Sequence, residues 1–275
     1  MLYLIRYSEI GLKSNRVRKQ FENFLLNDIK NALKYYGIEG HIRKIDGRIV
    51  VEGEKFMEEI LKEIGGIKSF SPVILSSVNL DEIKEKVLKI SSFIKENESF
   101  ALRVRKVGKH DYSSRDVAVI VGDAVRIKRK ANVDLTAPKH EIFIEIREKN
   151  TFIFREIIYG IAGLPYGSQG KVIAFINDEP DLKAAWLMMR RGCHIDFCIT
   201  FDIEKEIKKM MKWRCHTIFR CNSITEVEKI ALETEAKAIV VGNKNFMKLS
   251  IPIFYPLLGE EYIRMETISF ASMHK

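Results

Sequence analysis

Between Asn15 and Tyr36 the apolar residues Val17, Phe21, Phe24, Leu25, Ile29, Ala32, Leu33 and Tyr36 recur at helical spacing. One amphipathic helix ended by Gly37 is predicted there. Residues 2–7 and 42–51 flank it as strands, the second turning at Asp46-Gly47 in hairpin fashion, and 56–64 reads as a short helix. That order makes a small β-α-β-β-α unit of split type. From Gly65-Gly66 onward the pattern gives a strand at 67–78, a helix at 81–96 with Asp81 as N-cap, and an alternating apolar–basic strand at 99–107. Asp111–Ser114 caps a helix over 115–126. Strands follow at 133–134, 141–148 and 151–159, the last two pairing across Lys149-Asn150.

Four glycines and a proline crowd into Gly160–Gly170, which marks a linker. Beyond it, strands at 172–176, 194–200, 217–220 and 238–241 alternate with helices at 182–191, 204–213 and 225–234. Such alternation implies a parallel sheet covered on both faces. The fold class is therefore α/β, with expected divisions at 1–58, 59–165 and 166–275.

Composition narrows the partners. The 275 residues are 46% hydrophobic and 30% charged, as in ordinary soluble proteins. No apolar run approaches the roughly 18 residues of a membrane span, and the N-terminus is too soon charged for a signal peptide. A cytoplasmic protein with no membrane partner is expected. The net charge is +9, and Arg103–Lys130 alone holds nine basic residues against three acidic. A polyanion is a plausible partner. The four cysteines form no C-x-x-C pair, so reduced core thiols are expected. Cys193, His194, Cys215 and His216 have the donors of a zinc site, but neighbours on a strand face opposite sides. No metal and no catalytic residue is assigned.

The strand at 172–176 enters its helix through Asn177-Asp178-Glu179-Pro180-Asp181-Leu182. A nucleotide-binding framework would place a glycine-rich loop here, whose N–H groups and helix N-terminus cradle phosphates. This turn has no glycine, Pro180 withholds an N–H, and three carboxylates stand where phosphate oxygens would. Two like charges about 4 Å apart repel by about 4 kcal/mol at an effective dielectric of 20. That is roughly a thousandfold in affinity. The bland reading makes Asp178 the N-cap, puts Pro180 in the first turn and Asp181 third in the helix, close to a capping box. A Mg²⁺ site from Asp178, Glu179 and Asp181 is the functional alternative, weakened because carboxylates on adjacent helical positions diverge.

RYSEIGLKSNRVRKQFE, EIFIEIRE with FIFREIIYGIAGLPYGSQGKV, LMMRRGC and IPIFYPLLGEEYI occur here in this order. Together they resemble the 4-thiouridine synthetase (ThiI) family of tRNA sulfurtransferases. The resemblance implies a ferredoxin-like domain at 1–58, a THUMP RNA-binding domain at 59–165 and a Rossmann-like PP-loop domain at 166–275. In that family the first two bind tRNA and the third activates a uridine with ATP. The family's S-G-G-x-D-S loop falls on Asn177–Leu182, where only Asp181 matches, and its G-E-S motif is reduced to Gly242–Phe246. No C-terminal rhodanese domain is expected. The expectation is a tRNA-binding protein that has lost adenylation, a binding module or partner subunit of an active modifying enzyme. The alternative is a divergent but active ATP-dependent sulfurtransferase, which alone would need ATP and Mg²⁺. A homodimer stays open.

Two basic groups are the candidate RNA surface. Arg103, Arg105, Lys106 and Lys109 leave one strand, and Arg126, Lys128, Arg129 and Lys130 end the following helix, where the dipole also favours cations. Lys13, Arg16, Arg18 and Lys19 stand at a helix N-terminus, where the dipole opposes them and an anion partner accounts for them. Phe175, Ile176, Asn177, Asp181, Thr200, Phe201 and Gly242 are the expected remnant of a nucleotide cleft. Equally, they are strand ends of a parallel sheet.

Overall fold

A computed structural model describes residues 1–7, 10, 14–54, 56–243 and 247–258. In chain order the elements begin β1 (Leu2–Tyr7), α1 (Asn15–Tyr35), β2 (His41–Ile45), β3 (Arg48–Glu52), α2 (Met57–Lys62), β4 (Ile67–Ser76) and α3 (Leu80–Ile90). They continue with β5 (Ser99–Lys106), α4 (Ser114–Arg129), β6 (Asn132–Val133), β7 (His140–Ile146), β8 (Thr151–Phe154) and β9 (Ile158–Tyr159). The last are β10 (Lys171–Ile176), α5 (Glu179–Arg190), β11 (His194–Ile199), α6 (Glu204–Met211), β12 (Ile218–Arg220), α7 (Ile224–Glu233), β13 (Ile239–Val240) and β14 (Ile253–Phe254). Two compact units interleave along the sequence. One holds Met1–Tyr7, Gly37–Glu63 and Ile67–Gly160; the other holds Ser8–Tyr36, Ile64–Gly66 and Ile161–Lys275.

The first unit is built on one sheet in the order β2-β3-β1-β4-β8-β7-β5-β6, with β9 beside β4. Ile83 and Val87 of α3 and Val117, Val121 and Val125 of α4 bury their apolar stripes against Phe100, Ile142, Ile144 and Ile153. The alternate residues Leu4, Val50, Val73, Phe152 and Phe154 gather on the other face. A flat sheet would hold β3 and β7 roughly 19 Å apart, four steps of about 4.8 Å. Yet Arg48 Nε lies 2.7 Å from Glu145 Oε1, so the sheet curls until its hairpins meet. The same closure places Asp46, in the β2–β3 turn, against the β7–β8 turn. Its carboxylate accepts the backbone N–H groups of Lys149 and Asn150 at 2.9 and 2.8 Å and the Asn150 side-chain amide at 3.0 Å.

The second unit carries a parallel sheet in the order β12-β11-β10-β13-β14. Ala184, Ala185 and Met189 of α5 and Ile207, Met210 and Met211 of α6 cover one face, and Val227 and Ala231 of α7 the other. Helix α1 belongs to this unit. Its buried Asp28 accepts the indole N–H of Trp213 at 2.6 Å, and burial pushes that carboxyl up against the pull of Arg214 and of the bond itself.

Several local readings needed correction. Asn79, not Asp81, caps α3, because its Oδ1 reaches the N–H groups of both Asp81 and Glu82. Helix α4 runs on to Arg129 and stops where Lys130 takes a left-handed φ of 52°. The expected strand at 151–159 breaks into β8 and β9, and α5 begins at Glu179 rather than Leu182. Strand β14, two residues long, carries no period that a pattern could reveal.

Candidate nucleotide cleft and basic surfaces

In a parallel α/β sheet, ligands favour the crevice at the carboxyl ends of strands where the strand order reverses. Here that point lies between β10, which leads on to β11, and β13, which lies on its other side. The residues expected there do converge. Thr200 Oγ1 bonds Asn177 Oδ1 at 3.2 Å, tying the ends of β11 and β10. Asp181 is 3% exposed and closes the other side. One of its carboxylate oxygens accepts the N–H groups of Asn177 and Asp178 at 2.9 and 3.1 Å, and the other accepts the N–H of Gly242 beyond β13.

The capping box is complete: Asp178 Oδ1 accepts Asp181 N–H at 3.3 Å, and Asp181 returns the bond to Asp178 N–H. Burial pushes the Asp181 carboxyl above the ordinary range, with the neighbouring Asp178 adding to the shift and the N–H donors of Asn177 and Gly242 opposing it. Gly242 is required by contact. A Cβ there would lie 2.6 Å from Asp181 N and from the Pro180 carbonyl carbon. Phe175 is half-buried, Ile176 is buried, and Phe201 is 41% exposed.

ATP held by a phosphate cradle does not fit these residues. Asp178 and Glu179 bring carboxylates to the turn, Pro180 offers no N–H, and the backbone of Pro180 and Asp181 packs against Gly242. Nor do the three carboxylates of the turn share a focus. Asp181 turns inward to the backbone, Asp178 caps the helix, and Glu179 is exposed. Of the zinc-like quartet, Cys193 is buried, Cys215 is exposed, His194 bonds Asp196 at 3.2 Å and His216 bonds the Arg214 carbonyl at 2.9 Å. Burial raises the thiol pKa of Cys193, Cys198 and Cys221, which disfavours the nucleophilic thiolate.

The basic groups divide by partner. Arg103 pairs with Glu141 at 2.6 Å and Arg126 with Asp123 at 2.7 Å, while Lys130 lies 3.5 Å from Glu96. Arg129 reaches Ser91 and the carbonyl of Leu88, bracing α4 against α3. Lys106 bonds the Gly108 carbonyl at 3.3 Å. Arg105, Lys109 and Lys128 stay exposed. Arg16 and Lys19 are exposed at the start of α1, Arg18 is half-buried, and Lys13 lies outside the described residues. Sequence reasoning missed Arg6, Arg48 and Arg147. Their strands place them on one sheet face with Arg105, around the buried Glu145. No spacing could have signalled this, because the convergence depends on strand order.

Comparison with known proteins adds to this geometry. Residues 2–71 match the ThiI ferredoxin-like domain and residues 77–156 the THUMP domain. The chain is 37% identical to a probable tRNA sulfurtransferase of Methanothermobacter thermautotrophicus, over 97% of this chain and 83% of the relative. That alignment runs over 328 positions against 275 residues, so the relative carries internal segments with no counterpart here. A probable tRNA sulfurtransferase of Methanobrevibacter smithii is also 37% identical, over 70% of this chain and 51% of the relative. The chain thus spans about half the length of that second relative. Among solved structures, PH1313 from Pyrococcus horikoshii Ot3 superposes with a TM-score of 0.79 at 26% identity, over 95% of this chain and 96% of that one. A 4-thiouridine synthetase in complex with RNA and bound ATP gives 0.71 at 22% identity, over 94% and 81%, a likeness of fold alone.

Proposed function

This chain belongs to the tRNA sulfurtransferase family, and we propose that it binds tRNA and serves tRNA modification without performing the family's ATP-dependent step. The observation that carries this reading is the turn itself: Asp178 and Glu179 stand where the family's loop has glycines, and Pro180 beside them offers no N–H. A phosphate brought beside these two carboxylates meets like charge. The ferredoxin-like and THUMP matches and the basic surplus of Arg103–Lys130 support tRNA as the partner. Folded tRNA would be met through shape and phosphates, with few base contacts. The chain then acts as a binding module, alone, as a homodimer or beside an active modifying enzyme in the cytoplasm.

ATP–pyrophosphate exchange tests the catalytic half: no exchange is expected, and measurable exchange at ordinary ATP concentration overturns it. A tRNA titration at two salt concentrations tests the binding half. Phosphate contacts predict a steep loss of affinity with salt, and a flat response overturns it.

A further inference from the structure

Arg6, Arg48 and Arg105 come from β1, β3 and β5 and Arg147 follows β7, yet they gather on the sheet face that holds Glu145. Arg48 Nε and Arg147 Nη2 reach Glu145 Oε1 at 2.7 and 2.6 Å, and Glu145 is 5% exposed. Arg105 is the register partner of Glu145. Arg6 donates to Ser71 Oγ at 3.0 Å, stacks 4.5 Å from the Phe154 ring centroid, and holds its Nη2 buried without a hydrogen-bond partner among the described residues. Burial pulls the Arg6 pKa down to about 10, with Arg48 and Arg105 adding repulsion that Glu145 only partly offsets.

Four guanidiniums therefore gather on the face that holds Glu145, and among the described residues Arg48 and Arg147 are the two that pair with it. Clustered cations with too few counter-ions repel one another, and their placement calls for a second anion. Arg105 stands at the open end: it is exposed, and its side chain makes no hydrogen bond or ion pair among the described residues. Its planar fork suits a phosphate, which accepts two parallel N–H bonds. We propose that Arg105, with Arg147 beside it, docks a phosphodiester of an RNA strand, while Arg6 and Arg48 beneath them raise the local potential. This rests on the tRNA-binding reading above and names the point of contact. It also separates Arg105 from Arg103, whose charge is already answered by Glu141.

The test is a salt series of tRNA titrations on the full chain and on Arg105→Gln, with Lys229→Gln, a charge paired with Glu233 on α7, as control. Loss of one phosphate contact lowers the slope of log affinity against log salt by about one. Arg105→Gln should show that fall with an unchanged melting temperature, and Lys229→Gln should keep the wild-type slope. Wild-type slope in Arg105→Gln overturns the inference and leaves the tRNA reading standing. Absence of salt-dependent tRNA binding by the unaltered chain sinks both. Titrating the Arg105 Nε–H resonance separately with inorganic phosphate and with a short oligoribonucleotide identifies the source of the phosphate. A response to the first and none to the second overturns RNA as the ligand.

Discussion

Asp181, in the first turn of α5, accepts the backbone N–H of Gly242, which lies 61 residues further along the chain. A carboxylate thus joins the two strand ends between which a nucleotide would enter. The helix cap and the tie between these strand ends are one arrangement, made by one side chain.

Replacing Asp181 by Ala removes the acceptor of three backbone N–H groups and half of the capping box. Hydrogen bonds to charged groups contribute about 1.5–3 kcal/mol each, but the donors at Asn177 and Asp178 can turn to water. A loss of roughly 2–4 kcal/mol in urea unfolding is expected. ATP affinity should remain unmeasurable by calorimetry, because Asp178 and Pro180 still face the site.

Gly242→Ala strains the same junction from the other side. Its methyl would lie 2.6 Å from main-chain atoms of Pro180 and Asp181, which cannot yield as a flexible side chain would. Overpacking of this kind costs about 1–3 kcal/mol, so the melting temperature should fall. A wild-type melting temperature would mean that the β13 end and the α5 turn are less tightly joined than described.

Glu145 sets an acid limit on the first unit. Burial pulls its pKa up, but the bond and charge of Arg48 and the charge of Arg147 outweigh this and hold it below its ordinary 4.5. A carboxyl lowered in the folded state contributes stability above its unfolded pKa and loses it as pH falls through the folded value. Unfolding free energy of the wild type should therefore drop steeply below about pH 4.5. Glu145→Gln should flatten that acid limb while being less stable at pH 7.

Trp213→Phe keeps an aromatic ring but loses the fused pyrrole and with it the N–H that meets Asp28 at 2.6 Å. An acceptor left unsatisfied in a buried site costs about 1–3 kcal/mol. A double-mutant cycle with Asp28→Ala should show coupling, since each partner's loss leaves the other without its bond. Additive effects would tell against the contact.

The parallel sheet and most elements were legible, because alternation and helical spacing are local properties of Val172–Val241 and Asn15–Tyr36. The Asp178–Asp181 box was legible for the same reason, since both ends lie within four residues. What stayed hidden needed strand order or distant pairing. Arg6, Arg48, Arg105 and Arg147 are scattered over 142 positions and meet only because the sheet curls. Counting charges along Arg126–Lys130 overstated that group, because Asp123, Ser91 and Glu96 already engage Arg126, Arg129 and Lys130. Gly242 carries a backbone contact with Pro180 and Asp181 that no sequence window contains.

The bond between Asp28 and Trp213 spans 185 residues and lies within the unit that takes its first helix from the start of the chain. A ribosome adds about 5–20 residues per second, so Asp28 emerges roughly 10–40 s before its partner. During that interval α1 has no Trp213 to meet, and its apolar stripe must wait exposed or be shielded by a chaperone. Fragments cut at Gly160–Gly170 would leave Asp28 and Trp213 on different polypeptides. Such pieces should aggregate alone and recover when mixed, an assembly order written into the chain by where its helices were placed.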